Sequence, residues 1–374
     1  MYDVIVVGAR CAGSPLAMQL ARKGDRVLVV DRATFPSDTM STHFIQLPGM
    51  ARLKRWGLLD RVLATGCPLV THSITDEAGN KGEIEIPLVE GVPGLISPRR
   101  KILDTILVEA AAEAGAEIRE GVSVDGLLFE GDRVVGIEGH TDAGAFSEKA
   151  RFVIGADGKN SVVAREVAAP VEHDFGKLTG GYYSYFSGLD CPSVELFIYP
   201  GAAVVMFPTH DGLTTVAFVR PANTFKDMKR DIEGSFFSVM DQVGIGNRVR
   251  AATREEPYIG TGDVPNFIRK AHGPGWALAG DAAYHKDPTP ADGISDAFRA
   301  ADLLSGALDE ILNGVDEEKA LSSYQTAHDA IGLPLLEKTA ALSDTEGDPQ
   351  ERVQAFFEIR LMVHTEAEQV TAAA

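Results

Sequence analysis

Six residues near the N-terminus, Gly8-Ala9-Arg10-Cys11-Ala12-Gly13, have the composition and spacing of a turn that wraps a phosphate. They follow a β-branched apolar run, residues 2–7, and precede an alanine-rich stretch, residues 15–23, that reads as a helix. Amides at the start of such a helix point outward, and with the helix dipole they attract a pyrophosphate. Arg10 stands at the middle position, where glycine ordinarily lets the backbone approach the ligand. Either its guanidinium swings toward phosphate or the site is degenerate. Asp31 lies at the end of a second strand, residues 26–30, where a carboxylate accepts bonds from the ribose of an adenosine, with Arg32 beside it. The plainer reading of Asp31 is a cap on the next turn.

Two later stretches turn this general dinucleotide site into a specific one. Residues 153–165 contain Gly155-Ala156-Asp157-Gly158, and residues 276–294 contain Gly280-Asp281-Ala282-Ala283, Asp287-Pro288 and Gly293-Ile294. In that order the three motifs resemble those of the flavoprotein monooxygenase superfamily, whose para-hydroxybenzoate hydroxylase-like fold also serves halogenases and geranylgeranyl reductases. Arg100-Lys101-Ile102-Leu103-Asp104 is similar to the family's arginine-led helix start beside the flavin chain. The resemblance covers roughly residues 1–330. It implies non-covalent FAD, with Asp281 on a ribityl hydroxyl and the Pro288 to Gly293 loop leading into a helix that faces the pyrimidine end. A helix N-terminus there favours the negative charge of reduced flavin. Each residue also has a bland reading: Asp157 as a turn cap, Arg100 as a solvated helix residue, Gly293 as a tight bend.

Candidates for catalysis are His43, His285 and Tyr284, with His210 a candidate by residue type alone. The last two of the first three follow the Gly-Asp motif, and His43 lies in Ser41-Thr42-His43-Phe44, which in the family runs past the flavin ring. The implied reaction, oxygen insertion through a flavin hydroperoxide, asks the protein chiefly to position substrate and exclude water. Halogenases of the family carry Trp-x-Trp-x-Ile-Pro where this chain has Ala203-Val204-Val205-Met206-Phe207-Pro208. Halogenation is thereby disfavoured. Geranylgeranyl reductases show Tyr-x-Trp-x-Phe-Pro there, of which Phe207 and Pro208 remain, and a double-bond reductase is the alternative. A third reading is a non-catalytic FAD-binding redox sensor. Tyr182, Tyr183, Tyr185, Phe186 and Phe197 are candidates to line a pocket for a small apolar or aromatic substrate, with sheet packing as their bland reading. Molecular oxygen is the expected co-substrate. No second Rossmann unit is visible, so NADPH or NADH binds transiently or an external flavin reductase delivers electrons.

These residues need elements to hold them. Helical patterns over 100–114, 225–243 and beyond 294, and strands over 117–119 and 151–154, surround a block of strands at 182–187, 194–199, 203–207 and 213–219. Residues 73–87, with a turn at 76–80, are placed to add a hairpin to that block. The expected fold is α/β: a Rossmann-type FAD-binding domain with an inserted antiparallel β-sheet substrate domain and C-terminal helices. The division expected is 1–72, 95–172 and 271–330 for FAD, 73–94 and 173–270 for substrate, and 331–374 for a C-terminal helical segment. A length of 374 residues suits two domains, and 45% hydrophobic with 24% charged residues is a globular balance. A net charge of −19 repels nucleic acid and anionic membrane. Cys11, Cys67 and Cys191, odd in number and without CxxC spacing, suit neither a disulfide framework nor a zinc site, and no metal is expected. Residues 1–8 lack a basic leader and no membrane span is seen, so the expected location is the cytoplasm.

Overall fold

The protein is described by a computed structural model over residues 1–373. Parallel strands β1 (Tyr2–Val7) and β2 (Val27–Asp31) are joined by α1 (Gly13–Arg22). Residues 4–7 and 27–30 are buried without alternation, because helices cover both faces of a parallel sheet. After α2 (Leu47–Arg55), the hairpin β3 (His72–Glu77) and β4 (Asn80–Glu85) leaves for a second sheet. The chain returns through α3 (Arg100–Glu113) to β5 (Glu117–Glu120), parallel to β2.

A meander of β6 (Ser123–Glu130), β7 (Arg133–Thr141) and β8 (Gly144–Gly155) follows. The twelve-residue β8 is used twice: its first half pairs with β7 and its second half runs parallel to β1. The sequence shows only the second half, at 151–154, since residues 144–149 are half-buried or exposed and include Glu148 and Lys149.

Strands β9 (Val171–Lys177), β10 (Thr179–Ser187), β11 (Val194–Tyr199), β12 (Ala202–Pro208) and β13 (Thr214–Pro221) precede α4 (Ile232–Gln242). The helical pattern expected over 225–243 breaks before α4, where Asp231 accepts from the Gly234 amide and starts a new helix. Short strands β14 (Thr253–Arg254), β15 (Ile259–Thr261), β16 (Pro265–Arg269), β17 (His272–Gly273), β18 (Trp276–Leu278) and β19 (Tyr284–His285) lead to α5 (Gly293–Leu312), α6 (Glu317–Ser343) and α7 (Pro349–Ala372). The first sheet has the order β17-β18-β8-β1-β2-β5 and the second β14-β10-β13-β12-β11-β3-β4. The hairpin at 72–85 does extend the second sheet, but through a parallel pairing of β3 with β11. The residue 330/331 division falls inside α6, which continues through Pro334. Leu335 and Leu336 on either side of that turn bury into two separate clusters, and this packing outweighs the roughly 3 kcal/mol that an interior proline costs. Among the described residues no helix is long and apolar enough to cross a membrane.

The helical layers are joined by buried ion pairs. Arg299 of α5 makes a two-pronged contact with Glu366 of α7, 2.9 Å on each side, and Arg52 of α2 reaches Glu366 at 2.8 Å and Asp302 at 2.9 Å. Burial alone would raise the Glu366 carboxyl, but the Arg299 and Arg52 guanidiniums hold it down to about 2. Because that folded value lies below the ordinary 4.5, its contribution to stability is complete above pH 4.5 and is lost as the pH falls toward 2. Glu366→Gln removes the carboxylate charge that Arg299 and Arg52 share, leaving them Asp296 and Asp302, and is expected to destabilise the protein by about 3 kcal/mol. Thermal unfolding at neutral pH checks this, and an unchanged melting temperature contradicts it.

Candidate active site

At the end of β1 the chain turns at Gly8, whose φ is +106°. A Cβ on Gly8 would overlap the Ala156 carbonyl, and one on Gly13 would overlap the Gly8 carbonyl, so both positions need glycine for close backbone approach. Ala12 stands at the cap of α1 with no side-chain cap bond; the Ser14 amide donates back to the Arg10 carbonyl at 3.0 Å, and the amides just before it are left for a ligand. Asp31 accepts from the amides of Ala9 and Ala33, each at 2.8 Å, and so fixes the turn as well as facing the cavity beside it.

Arg10 lines the cavity and is ion-paired. Its guanidinium donates to Asp104 at 2.6 Å and to the Ser37 hydroxyl at 3.1 Å. Arg100 clasps the same carboxylate from one turn earlier on α3, at 3.0 and 3.1 Å, and the Cys11 thiol lies 3.4 Å from it. Asp104 is fully buried and shared by two cations, which orients Arg10 and Arg100 along the cavity wall. Burial pushes the Cys11 thiol up, so it stays protonated.

A cavity of about 850 Å³ opens from this turn. Gly8, Arg10, Cys11, Ala12, Asp31, Arg32, Arg100, Asp157, Gly280, Asp281, Tyr284, His285, Pro288, Gly293 and Ile294 all line it. Gly13 and His43 do not: Gly13 lies behind the turn and His43 within the protein. Asp281 is exposed toward the cavity, whereas Asp157 accepts from the Val162 amide at 2.7 Å, the turn-capping role that its bland reading gives it. Burial raises the Asp157 carboxyl.

The loop after Asp281 is anchored from two sheets. Asp287 accepts from the Thr179 hydroxyl of β10 at 2.6 Å, and its own amide donates to the Asn266 side chain of β16 at 2.6 Å. These bonds deliver Pro288 to the cavity and set the start of α5 at Gly293. Thr179, Asn266 and the neighbouring Lys286 were not foreseen, since isolated polar residues in a strand or loop carry no spacing signal.

The opposite wall is one face of the second sheet. Gly181 and Tyr183 of β10, Ala217 and Val219 of β13, Ala203 and Val205 of β12 and Leu196 of β11 stand in cross-strand register and line the cavity. Phe186 and Phe197 point the other way, into a core with Phe236 and Val239 of α4. Tyr185, on the same face as Tyr183, lies past the cavity and packs against His43 and Arg99.

The expected catalytic groups are all held. His43 is buried with φ +58°, and its ring hydrogen-bonds the Tyr185 hydroxyl, over whose ring the Arg99 guanidinium sits at 3.9 Å. Burial, aided by Arg100, pushes His43 down to about 3, so it is neutral near pH 7. His285 donates Nδ1–H to the Pro265 carbonyl and stacks on Phe267. Tyr284 packs edge-on against His328 of α6, and burial raises its phenol. His210 bonds Thr65 and the Arg99 amide. The three cysteines are free and buried, and among the described residues no cluster of three or more His, Cys, Asp or Glu is placed to hold a metal.

Comparison with known proteins agrees with this architecture. The family model for the FAD binding domain matches residues 1–230, and the chain belongs to that family of flavin-dependent oxidoreductases. Digeranylgeranylglycerophospholipid reductase of Methanosarcina acetivorans is 27% identical over 380 residues, spanning 96% of this chain and 89% of that protein. The myxobacterial chondrochloren halogenase CndH superposes with a TM-score of 0.84 at 20% identity, over 99% of this chain and 97% of its own. PqsL of Pseudomonas aeruginosa in complex with 2-aminobenzoylacetate gives 0.83 at 20% identity, over 95% and 99%. At such identities the structural likeness is one of fold.

The role expected of Asp281 is a charge-assisted bond to a ribityl hydroxyl, worth roughly 1.5–3 kcal/mol, so Asp281→Ala is expected to bind FAD about ten- to a hundredfold more weakly. Fluorescence titration of apoprotein with FAD reads this directly, and equal affinity in the two proteins contradicts the assignment.

Proposed function

We propose that the protein is an FAD-dependent monooxygenase that hydroxylates or epoxidises a small apolar or aromatic molecule. The residues present fit FAD: a glycine cradle without room for Cβ atoms, an uncapped helix start and the exposed Asp281 carboxylate lie along one cavity. In this reading Gly8 and Ala12 hold the pyrophosphate with Gly13 packed behind the turn, Asp31 and Arg32 hold the adenosine end, Asp281 the ribityl chain, and Pro288, Gly293 and Ile294 the pyrimidine edge. Residues 1–72, 95–172 and 271–330 carry FAD, while 73–94 and 173–270 carry substrate. Bound FAD supplies the two-electron redox chemistry.

The observation that carries the choice of reaction is the substrate wall. Ala203, Val205, Ala217 and Val219 make a smooth aliphatic surface with Tyr183 at its edge, which suits a flat apolar molecule. Small residues at Ala203 and Val205 also weigh against halogenation. His43 and His285 are hydrogen-bonded to neighbours and burial raises the Tyr284 phenol, so the chain positions substrate and excludes water rather than moving a proton through a free acid or base. The balance is one oxygen atom into substrate and one into water, with two electrons from NADPH or NADH, directly or through an external flavin reductase, in the cytoplasm. The span of the Methanosarcina acetivorans relative over 96% of this chain favours a second reading, reduction of an isolated double bond.

Turnover of a substrate panel that includes 2-aminobenzoylacetate and a digeranylgeranyl lipid, in isotopically labelled oxygen, separates the two. The expected product gains a single labelled oxygen atom without any halide. A product that gains two hydrogens and no label sinks the monooxygenase reading in favour of the reductase.

A further inference from the structure

Lys286 lines the cavity between His285 and Asp287, yet its side chain is only 3% exposed. Its ammonium lies 3.1 Å from Asp292 and 2.7 Å from Asp296, carboxylates that are 1% and 4% exposed. Asp292 is the residue before α5 and Asp296 belongs to its first turn. Neither acts as an ordinary cap. Asp292 makes no side-chain cap bond, and Asp296 meets Lys286 and Arg299 at ion-pair distance without well-aligned hydrogen bonds.

Two buried carboxylates at this helix start work against the chemistry proposed for it. The amides of a helix N-terminus favour an anion, but two negative charges within the same turn oppose one, all the more in a low-dielectric interior. Arg299 is already engaged by Glu366 on the far side of α5. Lys286 is the cation on the cavity side.

We propose that Lys286 is a positioning residue for the flavin: by neutralising Asp292 and Asp296 it leaves the start of α5 able to stabilise the negative charge of the reduced cofactor, and thereby raises the potential of bound FAD. The inference rests on the FAD placement proposed above. Burial opposes a charge on Lys286, but the two facing carboxylates outweigh it and raise its pKa, so the ammonium persists. Burial pushes the Asp292 carboxyl up to about 6, with Asp296 adding to the effect and Lys286 opposing it. The Tyr284 ring, 5.7 Å from the ammonium, closes the remaining side.

The test is the two-electron midpoint potential of bound FAD, measured at one pH by equilibration with reference dyes, in wild type, Lys286→Met, Asp292→Asn and the double variant. Removing the cation is expected to shift the potential down and removing the anion to shift it up, with the double variant near wild type. A merely structural role does not give opposite signs. Unchanged potentials, or shifts of both single variants in one direction, overturn the inference. If Lys286→Met does not accumulate as folded holoprotein, Asp292→Asn decides alone: a higher potential supports the inference and an equal or lower one overturns it. Retention of FAD by Asp281→Ala is a separate failure, since it removes the placement itself.

Discussion

Where β1, the start of α1 and the end of β8 meet, the backbone leaves no room for a Cβ on Gly8 or Gly13. That crowding sets the depth of the turn, the direction of the first α1 amides and the distance to Ala156, from which the Asp157 turn follows. Asp31 locks the arrangement by accepting from Ala9 in the turn and Ala33 in its own loop. Dinucleotide binding, in this account, is a property of three backbone segments packed too closely for side chains.

Charge near the cavity and the helical layers is handled by the opposite device, in which three buried ions are each shared by two partners. Asp104 serves Arg10 and Arg100, Glu366 serves Arg299 and Arg52, and Lys286 serves Asp292 and Asp296. Shared partners limit the desolvation penalty and fix side-chain directions, a use of buried ion pairs that favours specificity over raw stability. The last two groups meet through the Asp296–Arg299 contact, so the cavity-facing end of α5 is tied to α7 and α2.

Much of this was legible in the sequence where a local rule governs. The unalternated run of β1, the glycine turn and the strands punctuated by proline and glycine follow from burial and backbone sterics over a few residues. The residues that depend on distant partners were not legible. Nothing local pairs Arg10 with Asp104, 94 positions away, and nothing local signals that Lys286 is buried against carboxylates at the start of α5. The β6–β7–β8 meander was hidden by its half-exposed, charged face, whereas helix beyond 294 was expected and only its continuation through 330/331 and Pro334 was not. The aromatic cluster of β10 and β11 divides by the two-residue period of a strand, with Tyr183 at the cavity and Phe186 and Phe197 in the core behind it.

One continuous cavity runs from the Gly8 turn to the start of α5, facing the aliphatic face of the second sheet, and is the place proposed for FAD. A crystal structure of the FAD-loaded protein tests it most directly. The pyrophosphate is expected at the α1 amides, the ribityl chain beside Asp281, and the ring system between Pro288–Ile294 and the wall of Ala203, Val205 and Ala217. A ring system lying outside that space, or an Asp281 carboxylate remote from the ribityl chain, contradicts it.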